Sequence, residues 1–366
     1  MASVAKRPDG RWRARYRDAA NKEHARHFTR RVDAQRWLDE VTASVVTGTY
    51  VAPGAGRITF REYAEAWRAV QVHRPGTAEQ VERHLRNHAY PVFGDRPLES
   101  IRRSDVQAFV KGLGERLAPA TVTVVYRYVS TIFKAAVSDR RLASSPCVDI
   151  RLPEVEERHV VPMGTGEVEA IRAAMPERYR AMILLAAGTG LRQGEVFGLT
   201  LDRVDFLRRH LVVDRQLVGL SGRQPEFGPP KTSASVRAVP LPQVVAEALS
   251  EHLRQFPPRS GLIFTNQRGD ALRRSNFGDV WRRACRDAEV EGHTFHSLRH
   301  YYASLLIRHG ESVKTVQRRL GHRSATETLD TYSHLWPDSD DRTREAVDSV
   351  LGAPALADQV RTVGLA

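Results

Sequence analysis

The sequence predicts an α+β chain, mainly helical, on three observations. The run Arg11-Trp12-Arg13-Ala14-Arg15-Tyr16-Arg17 alternates arginine with apolar or aromatic residues, the period of a half-buried strand. From 59 to about 141, apolar positions recur at helical spacing and no strand pattern interrupts them. Later, Val- and Leu-rich segments at 211–217 and 235–241 flank a Gly/Pro/Ser-rich stretch, which implies a small antiparallel sheet inside an otherwise helical domain.

The amino-terminal elements form a small sheet-plus-helix module, 1–47. A second strand near 23–28 follows the arginine strand, and Ala34, Trp37, Leu38, Val41 and Val45 then mark a helix. Trp12, Ala14 and Tyr16 face that helix, so Arg11, Arg13, Arg15 and Arg17 share the outward face. The module holds 11 Lys+Arg against 6 Asp+Glu, and 11 − 6 leaves +5. Four like charges on one face repel unless an anion covers them, and the competing reading is a solubilising edge strand. Residues 48–56, with Gly48, Pro53 and Gly56, read as a linker.

A helical bundle follows at 57–145, with helices near 59–72, 77–89, 104–116 and 119–139. They are separated by Pro75-Gly76, by Pro91 to Pro97 and by Pro119. The proline- and charge-rich stretch 145–162 crosses to a third domain, 160–350. There a helix at 178–187 breaks at Gly188-Thr189-Gly190, a helix carrying Leu191 to Leu199 follows, and helices return after the two strands.

Charge narrows the function classes. The 366 residues carry 56 Lys+Arg against 43 Asp+Glu, a net charge of +13, which favours a polyanionic partner. Only six of the basic residues are Lys, so each lysine draws attention. The longest apolar run, 181–187, is too short to span a bilayer, and no signal-peptide pattern opens the chain, so the expected location is cytoplasmic. Cys147 and Cys285 stand apart as packed thiols, with no disulfide framework or thiolate zinc site.

Four short strings carry chemistry. His296-Ser297-Leu298-Arg299-His300 opens a helix whose apolar face is Leu298, Tyr302, Leu305 and Leu306, leaving His296, Arg299 and His300 opposite it. Clustered donors of this kind suit a phosphate, and a solvated basic face is the alternative. A metal reading of the two histidines, four apart, is a further alternative, with Ser297 standing where the zinc protease motif needs Glu. Thr189-Gly190-Leu191-Arg192-Gln193-Gly194-Glu195 places Arg192 in the first turn of a helix, with Glu195 able to orient it; the alternative is a surface ion pair. Gly321 ends a helix built on Val313, Val316 and Leu320, and His322 comes next. Ser324 and Glu327 match a capping box for a helix bearing Leu329 and Tyr332, where Tyr332 is a nucleophile or a core aromatic.

The ordered set Thr189-Gly190-Leu191-Arg192-x-x-Glu195, His296-x-Leu298-Arg299-His300, Leu320-Gly321-His322 and Leu329-Asp330-Thr331-Tyr332-Ser333-His334 resembles the tyrosine recombinases, or phage integrases. Pro230-Lys231-Thr232 followed by Arg237-Ala238-Val239-Pro240-Leu241 looks like the family's strand-turn-strand element with its lysine. The resemblance implies a catalytic set of Arg192, Lys231, His296, Arg299, His322 and Tyr332, with Glu195 and His300 in support. Tyr332 would attack a phosphodiester to give a 3′-phosphotyrosyl link, His296 would take its proton, and Lys231 would protonate the leaving 5′-oxygen. No cofactor is implied, since the link conserves the bond energy and no Gly-Lys-Ser/Thr loop is present.

The implied partners are double-stranded DNA at core and arm sites and a homo-tetramer on DNA, docked through a last helix with Ala346, Val347, Val350 and Leu351. An accessory excision factor is a further candidate. The 57–145 segment would be the core-site domain and 1–47 the arm-site domain. Three other readings stand beside this one: a type IB topoisomerase, a non-catalytic DNA-binding regulator, and a metal-dependent nuclease built on Asp338, Asp340 and Asp341.

Overall fold

The computed structural model describes residues 2–18, 21–156, 160–219, 222–230, 232–258, 261–336 and 340–351. Lys231 and Asp338 lie outside the described residues. The chain divides into two units, Met1–Glu157 and Arg158–Ala366.

In the first unit, β1 (Ser3–Lys6), β2 (Trp12–Arg17) and β3 (Glu23–Phe28) form an antiparallel sheet in that order, covered by α1 (Arg31–Val46). Strand β1 carries no alternation and was not legible in the sequence. Alternation in β2 works as the pattern requires: Ala14 and Tyr16 are buried, and Tyr16 meets Trp37 of α1 edge-on at 5.5 Å. The register sets Arg13 opposite His27, Arg15 opposite Ala25 and Arg17 opposite Glu23. Arg11 precedes the strand. Tyr50, inside the expected linker, belongs to this module, its hydroxyl 2.7 Å from that of Tyr16.

Four helical stretches follow. Thr59 and Glu62 close a capping box on α2 (Phe60–Ala69), satisfying backbone N–H groups that a helix start leaves unpaired. α3 (Pro75–His84) runs through a π-helical turn at Leu85–Ala89 into α4 (Tyr90–Phe93), so the path continues past Pro91, where the sequence suggested a stop. The wider turn gives the proline ring, which has no N–H to bond, room that a regular helix denies it. α5 (Arg103–Gly114) and α6 (Pro119–Ser138) complete a core of Phe60, Leu85, Phe93, Leu113, Ile132 and Phe133.

The second unit opens with α7 (Thr165–Ala174), α8 (Glu177–Thr189) and the one-turn α9 (Gln193–Phe197). Helix α8 continues through Gly188, whose missing side chain leaves room for Val245; only Gly190, at φ +64°, leaves the helix. The expected strand at 211–217 is two strands in different sheets. β5 (His210–Val213) joins β4 (Val204–Asp205) and β8 (Arg237–Pro240) in the order β4-β5-β8, while β6 (Gln216–Val218) and β7 (Glu226–Gly228) form a separate hairpin. Asp214 and Arg215 divide them, held by ion pairs to Arg203 and Asp202.

Helices α10 (Gln243–Gln255), α11 (Arg274–Asp287), α12 (Ser297–Arg308), α13 (Val313–Leu320), α14 (Ala325–Tyr332) and α15 (Asp340–Leu351) follow. The main core takes Met182, Ile183, Phe197, Leu211, Val239 and Phe264; Tyr302, Ile307, Val316, Leu320 and Tyr332 make a smaller one. Among the described residues no helix is long and apolar enough to cross a membrane.

Candidate active site

Arg192 is the N-cap residue of α9 rather than part of its first turn, with extended backbone at φ −69° and ψ 150°. Its N–H donates to Glu195 Oε2 at 2.9 Å, and its Nη1 donates to Glu195 Oε1 at 3.1 Å and Ser235 Oγ at 3.2 Å. Glu195 therefore holds both the backbone and the guanidinium of Arg192. The sequence reading missed the other side of that carboxylate: Arg237 donates to both of its oxygens, at 3.2 and 2.9 Å. Burial works to raise the pKa of Glu195, but the Arg237 guanidinium, helped by Arg192, outweighs it and holds the group below the usual carboxylate value.

Arg237 was legible in principle. It falls on the same face of β8 as Val239, and that face is buried, so an arginine there must meet a fixed partner.

Arg299 was expected on a donor face of α12 pointing away from the core. Instead the helix is buried nearly all round, and Arg299 is 2 % exposed. The reason lies at the carboxyl end of α13. Gly321 takes φ +65° there, so that its own N–H and that of His322 cap the carbonyls of Arg318 and Gln317, and the carbonyls of 319–321 are left without intrahelical partners. Arg237 Nε donates to Arg319 O at 2.7 Å, Arg299 Nη2 to Leu320 O at 2.7 Å, and Arg192 Nη2 to Gly321 O at 3.2 Å. Three consecutive carbonyls thus receive three guanidiniums from three separate elements, at the end of a helix where its dipole favours cations. Arg299 also donates to Gly190 O at 2.8 Å. Burial, then Arg192 and Arg237, pushes its pKa down to about 9, still far above neutrality. Three cations around one carboxylate leave an excess of positive charge suited to a phosphate.

His322 follows directly. Its Nδ1 lies 2.9 Å from Thr328 Oγ1, and burial, reinforced by Arg299, Arg192 and Arg237, lowers its pKa to about 3, so the ring is neutral at neutral pH. Helix α14 begins as the capping residues require, Ser324 Oγ accepting from Glu327 N at 3.2 Å; the return bond from Glu327 reaches Arg323 N instead of Ser324 N. Leu329 is 41 % exposed and does not share the buried face of Tyr332.

Tyr332 is 1 % exposed, and its ring lies parallel to His322 at 8° with centroids 6.4 Å apart. Its hydroxyl is 2.8 Å from His300 Nδ1. The group on the phenol is thus His300, and the ring of His296 stands 4.9 Å from that of His300 at 89°. His296 is the N-cap residue, and His300, one turn further on, lies deeper in the unit. Burial raises the pKa of Tyr332 to about 12 although Arg299 and Arg192 pull it down. A cavity of about 1080 Å³ opens beside these groups, lined among others by Arg192, Gln216, Thr232, Arg274, His296 and Arg323.

Among the described residues, no three His, Cys, Asp or Glu side chains gather as metal ligands would. In the other unit, Arg13, Arg15 and Arg17 do share a face, but Glu23 sits among them at 2.9, 3.8 and 3.7 Å, a counter-ion that the arginine pattern alone did not reveal.

Comparison with known proteins gives a consistent result. Residues 163–338 match the phage integrase family, 60–152 the phage integrase central domain and 2–47 the phage integrase N-terminal domain. A tyrosine recombinase XerC-like protein of Caldanaerobacter subterraneus is 28 % identical over 295 residues, 72 % of this chain and 75 % of that protein. Among solved structures, the Tn1549 transposon integrase in complex with a circular intermediate DNA superposes with TM-score 0.70 at 22 % identity, covering 80 % of this chain and 99 % of that one. The lambda integrase tetramer bound to a Holliday junction gives 0.59 at 19 %, covering 88 % and 96 %. At such identity the two structures speak for the fold alone.

Proposed function

The chain belongs to the phage integrase family of tyrosine recombinases, site-specific enzymes that break and rejoin DNA strands, and from that premise we propose that Tyr332 is its nucleophile. The observation that carries this assignment is the convergence of Arg192, Arg299 and His322 on the carboxyl end of α13, with Tyr332 stacked on His322.

The phenol oxygen attacks the phosphorus of a scissile phosphodiester, the bond from phosphorus to the 5′-oxygen breaks, and a 3′-phosphotyrosyl link forms. His300, neutral and 2.8 Å from the hydroxyl, accepts the phenol proton, with His296 behind it at the cavity. Arg192, Arg299 and His322 donate to the non-bridging oxygens, where charge grows in the transition state; each such donor is worth about 3–4 kcal/mol. Lys231 supplies the proton that the departing 5′-oxygen needs. Attack by the 5′-hydroxyl of another strand reverses every step and frees the tyrosine. Glu195 and Arg237 hold Arg192 in place and touch no reacting atom.

Double-stranded DNA is the substrate, with the bundle as core-site domain and Arg13, Arg15 and Arg17 reading an arm sequence; Arg11 flanks the strand. Val347, Val350 and Leu351 are exposed on α15 and offer a neighbouring protomer an apolar contact, in keeping with a tetramer on DNA. The topoisomerase alternative is not favoured, since the relatives are integrases and recombinases.

The test is Tyr332→Phe, which removes one oxygen and little volume. On a nicked suicide duplex spanning the core sequence, recovered by footprinting DNA that flanks the gene, the variant binds normally and forms no covalent adduct, while wild type forms one even in EDTA. An adduct from the variant means that the nucleophile lies elsewhere, with Tyr301 and Tyr302 next.

A further inference from the structure

His322 is 7 % exposed, and Thr328, four residues before Tyr332 on α14, is fully buried. Threonine in a helix commonly turns its hydroxyl back to the carbonyl four residues earlier. Thr331 of the same helix does so, donating to Glu327 O at 2.8 Å, and Thr131 of α6 donates to Arg127 O at 2.7 Å. Thr328 does not: among the described residues its hydroxyl is paired with His322 Nδ1, at 2.9 Å. A buried hydroxyl must place its proton on an acceptor. The Nδ1 of a neutral imidazole accepts only when the ring proton is on Nε2.

We propose that Thr328 is a positioning residue, whose hydroxyl donates to Nδ1 and locks neutral His322 as the Nε2–H tautomer, so that an N–H meets the DNA phosphate. The inference rests on the reading of His322 as a phosphate donor. Nε2 is the end of the ring near Glu327, at 3.9 Å, and Glu327 edges the cavity. Burial, reinforced by Arg299, Arg192 and Arg237, keeps the ring uncharged, so tautomer and not titration decides what it presents. The opposite tautomer would turn a lone pair toward a phosphate oxygen and remove one donor from the transition state.

The test uses full-length protein labelled with ¹⁵N at histidine, with the His322 signals assigned by their loss in His322→Asn. Wild type shows the His322 proton on Nε2. Thr328→Val, nearly isosteric, loses that single tautomer, binds the footprinted core duplex as before and forms the covalent adduct about tenfold more slowly; Thr328→Ser restores both. A wild-type spectrum with the proton on Nδ1 overturns the proposal whether or not the valine variant folds. So does Thr328→Val cleaving at the wild-type rate while His322→Ala is slow. If His322→Ala itself cleaves at the wild-type rate, the phosphate-donor reading fails instead, and the proposal with it.

Discussion

Each unit of the chain gathers arginines around a single carboxylate, and the two clusters differ in what surrounds them. Glu195 is 3 % exposed, with Arg237 at 8 %. Glu23 keeps 31 % of its side chain in solvent, and Arg13, Arg15 and Arg17 keep 39 to 52 %. An ion pair in water contributes about 0–1 kcal/mol and is screened by salt, whereas breaking a buried pair strands a charge at about 3–5 kcal/mol. The same residue types therefore serve opposite ends. Around Glu195 the arginines are fixed by carboxylate and carbonyl row before any DNA arrives, which is what preorganised stabilisation of a transition state requires. Around Glu23 they are held loosely by a counter-ion that a phosphate can displace, which suits reversible binding.

Glu195→Gln breaks the comparison most severely. The substitution keeps the shape and removes the charge shared by Arg192 and Arg237. Unfolding of the full-length variant in denaturant should show a loss of about 3–5 kcal/mol, with adduct formation falling below detection. A loss under about 1 kcal/mol would mean that the buried cluster is no more coupled than the exposed one.

Lys231→Ala sharpens the same point within the catalytic unit, because the task proposed for this lysine is proton transfer rather than placement. On ordinary DNA the variant should cleave about 10²–10⁴-fold more slowly. On a duplex whose bridging 5′-oxygen is sulfur, which leaves without a proton, it should approach wild type. Equal losses on the two substrates would assign the lysine to phosphate binding.

The smallest effect belongs to Glu23→Gln. Stability should change by no more than about 1 kcal/mol. Affinity for duplexes that flank the core should rise, and binding should become more sensitive to salt, since freed arginines make more phosphate contacts and each contact releases counterions. Weaker binding would show that Glu23 arranges the arginines for DNA instead of shielding them.

Much of this was legible in the sequence because it depends on local rules. The period-two run marked β2, apolar spacing marked the bundle helices, and glycine marked the turn at 321 that bares the carbonyls of α13. The boxes that carry Arg192, Arg299, His322 and Tyr332 were readable as an ordered set. What stayed hidden depends on pairing across distant segments. Nothing local says that Arg237 meets Glu195, that the carbonyls of 319–321 receive three arginines, or that Thr328 turns to His322 while Thr331 turns to its own helix. That His300 and not His296 lies against Tyr332 was hidden for the same reason, since their spacing does not tell which ring reaches α14. The strand at 211–217 misled because its apolar residues continue across Asp214 and Arg215, whose ion pairs end one sheet and let the chain start another.

The central claim is that these arginines serve a tyrosine, and the site of covalent attachment tests it most directly. Wild-type protein trapped on the nicked suicide duplex, digested with protease and sequenced by mass spectrometry, should carry the nucleotide on the phenol oxygen of Tyr332, linked through a 3′-phosphate. Attachment to any other residue, or a link through a 5′-phosphate, would contradict the account.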